Sequence, residues 1–258
     1  MNNSVKFCSL RGGLGNFLFQ IATTYSYGAS HDKNPVFTLN DANIIHKPIS
    51  NYHDNILHRI NFLPAADITG YTHYEEPHFH YSDIPYIDGN VSLAGYFQSE
   101  NYFKGHRNLI LELFDYDIPD TDYDQYLKEN TCSVHVRRGD FLNLEDHHPF
   151  CGIEYYQNAF DVIGHDKKYL IFSDDLKWCR DHFIGDNFIF IESGYDFIDL
   201  HLMKSCKSNI IGNSTFSWWG AWLNQYKDRE VIAPARWFGP AKSDHNVEDL
   251  IPTDWVTI

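Results

Sequence analysis

Two α/β lobes, each a parallel sheet covered by helices and facing the other across a cleft, are what this sequence predicts. Three observations carry that expectation. Short apolar runs alternate with helix-period segments through the second half of the chain, the rhythm of βαβ units with helices on both faces of a parallel sheet. Near the start, a β-type run passes through Arg11-Gly12-Gly13-Leu14-Gly15-Asn16 into a helical stretch. Between the halves lies an acidic segment, Asp115–Asn130, containing Pro119, which predicts a boundary and hence lobes over 1–125 and 126–258.

In chain order, Val5–Leu10 reads as a strand, and Phe19, Ile21, Ala22 and Tyr25 mark the helix after the glycine turn. Val36–Leu39, Ile68–Tyr71 and Val91–Tyr96 are further strands, while 72–90 reads as an irregular polar and aromatic loop broken by prolines. In the second half the strands are Ser133–Arg137, Tyr169–Ser173, Phe188–Ile191, Asn209–Ile211 and Val231–Ala233. Helices fall between them at Tyr155–Ile163, Leu176–Phe183, Phe197–Lys204 and Phe216–Tyr226, the last from the four-residue recurrence of Trp218, Trp222 and Tyr226. The tryptophans are expected in the core.

Composition narrows the function. The chain has 258 residues with 20 Lys+Arg against 35 Asp+Glu, a net charge of −15. So negative a chain is not expected to grip nucleic acid or an anionic membrane through a broad basic face. The many aromatic side chains, 19 Phe, 17 Tyr and 6 Trp, suit either an aromatic core or stacking on sugars and bases. Cys8, Cys132, Cys151, Cys179 and Cys206 form an odd set without metal spacing, read as reduced core thiols. No apolar run approaches the roughly 18–20 residues of a membrane span and no signal-peptide pattern opens the chain. A cytoplasmic protein without a transmembrane segment is therefore expected.

Four constellations could carry chemistry. In Arg11–Asn16, glycines let the backbone turn sharply and approach an anion at a helix start; a plain tight turn is the other reading, since the third glycine of a dinucleotide fingerprint and the P-loop lysine are both missing. His135-Val136-Arg137-Arg138-Gly139-Asp140 ends a strand, where open α/β sheets bind ligands. Two planar guanidinium forks suit a diphosphate, unless Arg138 merely braces Asp140 and His135 belongs to the core. Phe172-Ser173-Asp174-Asp175 also ends a strand; its carboxylates could hold a metal, bind ribose hydroxyls or cap the next helix. Asn213-Ser214-Thr215-Phe216-Ser217 opens the tryptophan helix, either as an anion cradle or as an ordinary cap.

Taken together, HVRRGD at 135–140, FSDD at 172–175 and NSTFSWWGAWL at 213–223 resemble the motifs of the family 11 glycosyltransferases, the α-1,2-fucosyltransferases. GGLGN at 12–16, GYFQSENYF at 95–103, APARWF and PTDWVTI fit the same family, in order and over almost the whole chain. The resemblance implies the GT-B type: two Rossmann-like domains, the first on the acceptor side and the second binding donor. It also implies GDP-fucose as donor, a galactose-containing glycan as acceptor, inversion at the anomeric carbon, and no metal or other cofactor. By the same resemblance Arg137 and Arg138 engage the pyrophosphate and Asn213, Ser214, Thr215 and Ser217 surround the phosphates. Asp174 then lies near the nucleoside, and Gly13, Gly15 and Asn16 meet the donor from the first lobe.

Catalysis is expected from Arg137, which would stabilise charge growing on the leaving diphosphate, with His135 and Asp140 beside it. Glu145, Asp146, Glu154, His147 and His148 follow the arginine motif as further candidates for the base. One departure stands out: the family's first motif continues with Gln where this chain has Phe17. A sibling transferase of different linkage or GDP-sugar is the nearest rival. A non-catalytic sugar- or nucleotide-binding protein and a nucleotide-sugar hydrolase are the more distant ones.

Overall fold

The computed structural model describes residues 3–38, 47–63, 70–128 and 130–258. It divides into two compact units, Met1–Asp117 with Asn246–Pro252, and Ile118–His245 with Thr253–Ile258. The division falls after Asp117 instead of after 125, and the expected second domain gives Asn246–Pro252 back to the first unit. Buried hydrogen bonding explains that return: Asp249 accepts the Tyr81 N–H through its carboxylate at 2.6 Å and the Ser99 hydroxyl through its carbonyl at 2.9 Å.

The first unit contains strands β1 (Ser4–Phe7), β2 (Asn34–Thr38), β3 (Phe62–Leu63), β4 (Thr72–Glu75) and β5 (Val91–Ala94), with helices α1 (Leu14–His31) and α2 (Arg107–Leu113). The sheet order is β3-β2-β1-β5-β4, and every described pairing is parallel. Helix α1 is buried along most of its length, with Phe17, Leu18, Phe19, Ile21 and Ala22 all inaccessible. It ends where Asp32 takes a left-handed conformation, φ +49°, which an Asp tolerates at a helix end.

The strand expected at Ile68–Tyr71 has its first two residues outside the described ones, and Tyr71 itself is not in a strand. Strand β4 begins one residue later, inside the segment expected to be irregular throughout; only 76–90 is. Its pattern, Thr-His-Tyr-Glu, is too polar to announce an edge strand. The end of the expected strand Val36–Leu39 also lies outside the described residues.

The second unit holds β6 (Thr131–Val136), β7 (Lys168–Ser173), β8 (Phe188–Phe190), β9 (Ser208–Ile210), β10 (Glu230–Ala233) and β11 (Val256–Thr257). They form one parallel sheet in the order β11-β10-β9-β6-β7-β8. Helices α3 (Ile153–Ile163), α4 (Leu176–His182), α5 (Asp196–Ser205) and α6 (Thr215–Trp222) connect them. The central strand β6 is buried from end to end. One core gathers Cys132, Val134 and Val136 with Tyr156, Ile171 and Ile210; another gathers Leu170 and Phe172 with Leu202 and Met203.

The tryptophans of α6 are core, as expected. Trp218, Trp219 and Trp222 are at most 1% exposed, and the rings of Trp218 and Trp222 stack with an 11° interplanar angle. Helix α6 nevertheless stops at Trp222, four residues short of the expected end, and Tyr226 is 41% exposed. The inaccessible Asn224 is the cause. Its amide donates to the Cys206 carbonyl and to Asn209 at 2.8 Å each, and its Oδ1 takes the Tyr226 N–H at 2.9 Å. A side chain that bonds the backbone two residues on replaces the next helical turn with an Asx turn. All five cysteines are free thiols; Cys8 is exposed just beyond β1, contrary to its expected place in the core.

Candidate active site

In the second unit the chain runs β6, β7, β8 towards one edge and then β9, β10, β11 towards the other. The carboxyl ends of β6 and β9 therefore flank the point where the connections diverge, the place where open parallel sheets leave a ligand crevice. The loops leaving these two ends are His135–Asp140 and Ile211–Ser217. They pack closely: a Cβ on Gly212 would stand 3.2 Å from the His135 carbonyl.

The two arginines part company. Arg137 donates to Asp140 at 2.8 Å and lies 3.2 Å from Asp174, its guanidinium 5.6 Å from the centre of the Phe141 ring. Arg138 turns into the unit. It pairs with Asp175, with the rings of Phe150 and Trp178 at 5.7 and 5.2 Å, and its Nε is buried without a hydrogen-bond partner. Asp175 in turn caps α4, taking the Trp178 N–H at 3.1 Å. That bond first, and Arg138 with it, holds the Asp175 carboxyl below the usual range. The brace anticipated between Arg138 and Asp140 thus forms in a different pairing, Arg137 with Asp140 and Asp174 and Arg138 with Asp175.

Asp174 organises the turn. Its Oδ1 takes the N–H groups of Arg138 at 2.9 Å and Gly139 at 3.1 Å while Oδ2 faces Arg137. Such bonds engage the carboxylate expected near the nucleoside.

His135 is 6% exposed, with its ring against Phe216 at 5.7 Å. Burial first, and the neighbouring Arg137 charge second, lower its pKa to about 3. A ring so reluctant to take a proton is a poor base at neutral pH, and the geometry gives His135 a packing role instead of the expected catalytic one. Asp140 is committed to Arg137. Among the other candidates, Glu145, Asp146, His147 and Glu154 are exposed. His148 Nε2 accepts from the Lys242 ammonium at 2.9 Å and its ring stacks on Phe141 at 5.2 Å, and burial together with Lys242 lowers its pKa to about 4.

At the second loop, Asn213 is 2% exposed and serves as a spacer: its amide donates to the carbonyls of Pro149 at 2.8 Å and Trp237 at 3.0 Å. Ser217 is buried, its hydroxyl turned back to the Ser214 carbonyl at 3.2 Å. Ser214 is the N-cap in extended conformation and its side chain makes no cap bond. Ser214 and Thr215 are half-buried at this end. The first amides of α6 have no acceptor within the helix and carry the positive end of its dipole, beside the loop bearing Arg137. Of the four residues expected around the phosphates, the geometry leaves Ser214 and Thr215 available and turns Asn213 and Ser217 inward.

The first unit has its own divergence point, between β1 and β5. The glycine turn leaves β1 there. Gly12 has φ +92°, and a Cβ on it would fall 2.2 Å from the Asn16 amide nitrogen. Gly13 is the extended N-cap of α1, its carbonyl taking the N–H groups of Asn16 at 3.0 Å and Phe17 at 3.1 Å. Gly15 is buried within the first helical turn. Asn16 Oδ1 takes the Gln98 amide at 2.9 Å.

Gln20, unnoticed in the sequence, clamps the turn by accepting from the Arg11 N–H at 3.0 Å and donating to the Arg11 carbonyl at 2.9 Å. A long polar side chain set between Phe17, Leu18, Phe19, Ile21 and Ala22 was the available signal. Phe17 is inaccessible and packs against Tyr52 at 6.4 Å, so where the family places Gln this chain has a core residue.

Two parallel α/β units, one with an arginine near a helix start at its divergence point, offer a place for an anionic ligand. The glycosyl transferase family 11 model matches residues 35–258, and the chain belongs to that family. It is similar to the O-antigen biosynthesis glycosyltransferase WbnK of Escherichia coli, 29% identical over 98% of this chain and 100% of the relative. It is equally similar to an α-1,2-colitosyltransferase of Escherichia coli, 29% identical over 99% of both chains. A galactoside 2-α-L-fucosyltransferase of Caenorhabditis elegans is 26% identical over 83% of this chain and 67% of its own length. In fold, it resembles the NodZ α-1,6-fucosyltransferase crystal soaked with GDP-fucose, TM-score 0.54 at 14% identity over 86% of this chain and 93% of that one. The protein is therefore a glycosyltransferase, with the α/β architecture of two parallel sheets expected for the GT-B type. No described helix is long and apolar enough to cross a membrane.

Proposed function

We propose that the protein transfers L-fucose from GDP-fucose to O2 of a galactose in a glycan, with inversion and without a metal ion. The observation that carries this reading is Arg137, at the divergence point of the second sheet beside the half-buried start of α6, in a family 11 chain. In the reaction the acceptor oxygen bonds to the anomeric carbon from the face opposite the leaving group. The bond from that carbon to the diphosphate oxygen breaks, its electron pair stays on GDP, and the acceptor hydroxyl passes its proton to solvent water. Arg137 meets the charge growing on the diphosphate, with the Thr215 amide and the half-buried Ser214 and Thr215 hydroxyls assisting; preorganised donors of this kind contribute about 10²–10³ each in rate. Asp140 and Asp174 align the Arg137 fork.

A second reading has specific support: a colitosyl donor, because a relative aligned over nearly the full length of both chains is named for that transfer. Titration calorimetry with GDP-fucose in EDTA tests the principal reading. Micromolar-range heat that survives EDTA and disappears in Arg137→Ala supports it. No heat with GDP-fucose or GDP, with or without added Mg²⁺ and a β-galactoside, overturns it. Turnover with a GDP-colitose donor exceeding that with GDP-fucose selects the second reading.

A further inference from the structure

The segment that leaves β5 sets an exposed tyrosine on a turn held by a carboxylate, and the donor chemistry above uses neither. Beyond β5 the chain makes a constrained turn. Gly95 has φ +156°, and a Cβ there would sit 2.5 Å from the Glu76 Cβ. Phe97, which is not a glycine, has φ +52°. Left-handed backbone at a bulky residue costs energy and persists only where the surroundings impose it. Two things impose it here. Glu76, just past β4, takes the N–H of Tyr96 at 2.7 Å and of Phe97 at 3.0 Å, with the Tyr102 hydroxyl at 3.5 Å. The Phe97 ring is inaccessible, wedged edge-on against Phe7 and Tyr102.

The result is that Tyr96 is thrown outward at the mouth of the sheet. Its side chain is 38% exposed, and one ring face carries the Arg11 guanidinium at 4.8 Å from the centre. A ring has two faces, and a guanidinium covers one of them. The next residue along, Gln98, holds Asn16 of the glycine turn, so the platform and the turn are one hydrogen-bonded assembly. Burial pushes the Glu76 carboxyl up to about 7, against the pull of the Phe97 and Tyr96 N–H groups, the Tyr102 hydroxyl and Arg11. The carboxyl that holds the turn thus lies at the carboxyl end of a parallel sheet, where ligands of such sheets bind.

We propose that Tyr96 is the stacking platform for a pyranose ring of the acceptor glycan, and that Glu76 is the positioning residue which sets the platform. The inference rests on the transferase reading above and adds to it the place and the chemistry of acceptor binding. The apolar C–H face of a pyranose lies on an aromatic ring, and Arg11 beside it donates to sugar hydroxyls. A diphosphate finds its cation at Arg137 in the other unit, whereas this site pairs an aromatic face with a carboxylate-held turn.

Steady-state kinetics with GDP-fucose and lactose, with GDP affinity measured separately by calorimetry, tests this. Tyr96→Ala should raise the lactose KM about tenfold, the loss of one stacking contact, with GDP affinity unchanged; Tyr96→Phe should recover most of it. Glu76→Gln, which keeps shape but presents N–H to one of the two turn amides, should raise the lactose KM while kcat and GDP affinity hold. Glu76→Asp should fall between. An unchanged lactose KM in Tyr96→Ala overturns the inference, as does a loss of GDP affinity, which would move Tyr96 to the donor. A wild type that binds GDP-fucose but gives no turnover with lactose overturns the galactoside subsite. Failure of the wild type to bind GDP-fucose or GDP at all removes the transferase reading itself, a separate result.

Discussion

Asp174 holds Arg137 at 3.2 Å with one carboxylate oxygen and the backbone of Arg138 and Gly139 with the other. One side chain from the end of β7 thus shapes the turn at the end of β6 and orients the guanidinium that leaves it. Strand pairing makes this possible: Val136 lies opposite Ser173 in the parallel register, so the residues immediately after each strand are neighbours.

Arg137→Ala should lower turnover by about 10²-fold or more while the protein still folds, since the residue is partly exposed and its loss leaves two carboxylates open to solvent. Arg137→Lys should recover little, because an ammonium cannot span a diphosphate with a planar fork. Circular dichroism together with turnover checks both; near-wild-type activity in the alanine variant removes Arg137 from the mechanism.

Arg138→Ala should act on stability instead. It unpairs Asp175 and removes a guanidinium packed between Phe150 and Trp178, a loss of about 1–3 kcal/mol. Thermal melts should show the drop, and GDP affinity measured well below the melting temperature should fall far less than in Arg137→Ala. Equal losses of affinity in the two variants would return Arg138 to the phosphates.

The two roles of Asp174 separate by substitution. Asp174→Asn keeps an oxygen for the Arg138 and Gly139 amides and gives up only the charge facing Arg137, so GDP affinity should stay within about threefold. Asp174→Ala removes the acceptor of both amides at an exposed turn, about 0.5–1.5 kcal/mol each, together with the partner of Arg137, and should cost about tenfold or more. If the asparagine variant loses as much as the alanine variant, the carboxylate meets the nucleoside directly.

Acid should destabilise the protein through His135. An unfolded histidine binds its proton near pH 6.5, whereas burial and Arg137 delay protonation in the folded chain to about pH 3. Between those values the unfolded state holds more protons, so stability falls as pH falls, by about 1.4 kcal/mol per pH unit from this residue. Urea midpoints at pH 7 and pH 5 should converge in His135→Leu relative to the wild type. An identical slope in both would mean that the folded protein protonates this ring freely.

Much of this was legible in the residues themselves. Alternation of apolar runs with helix-period segments encodes a parallel sheet, because period and turn chemistry are local, and Val134 and Val136 face the core as their two-residue spacing requires. Strand-end motifs are legible for the same reason: the residue after a strand leaves the sheet at a known edge. Helix α6 shows where local reading stops. Its aromatic stripe continues to Tyr226, and only the buried partners of Asn224, Cys206 and Asn209 end it at Trp222.

Long-range pairing settled the rest. By itself the sequence determined the family, the two parallel sheets and the motifs at the strand ends, since each is written in contiguous residues. Which carboxylate each of the two adjacent arginines meets was decided by strand pairing, which brings Asp174 to Arg137 and Asp175, with Phe150 and Trp178, to Arg138. Glu76 could become the keeper of the Tyr96–Phe97 turn only once β4 lay beside β5. Side-chain roles of that kind depend on distance in space, burial and the competition for partners, and those quantities exist only after the chain has folded.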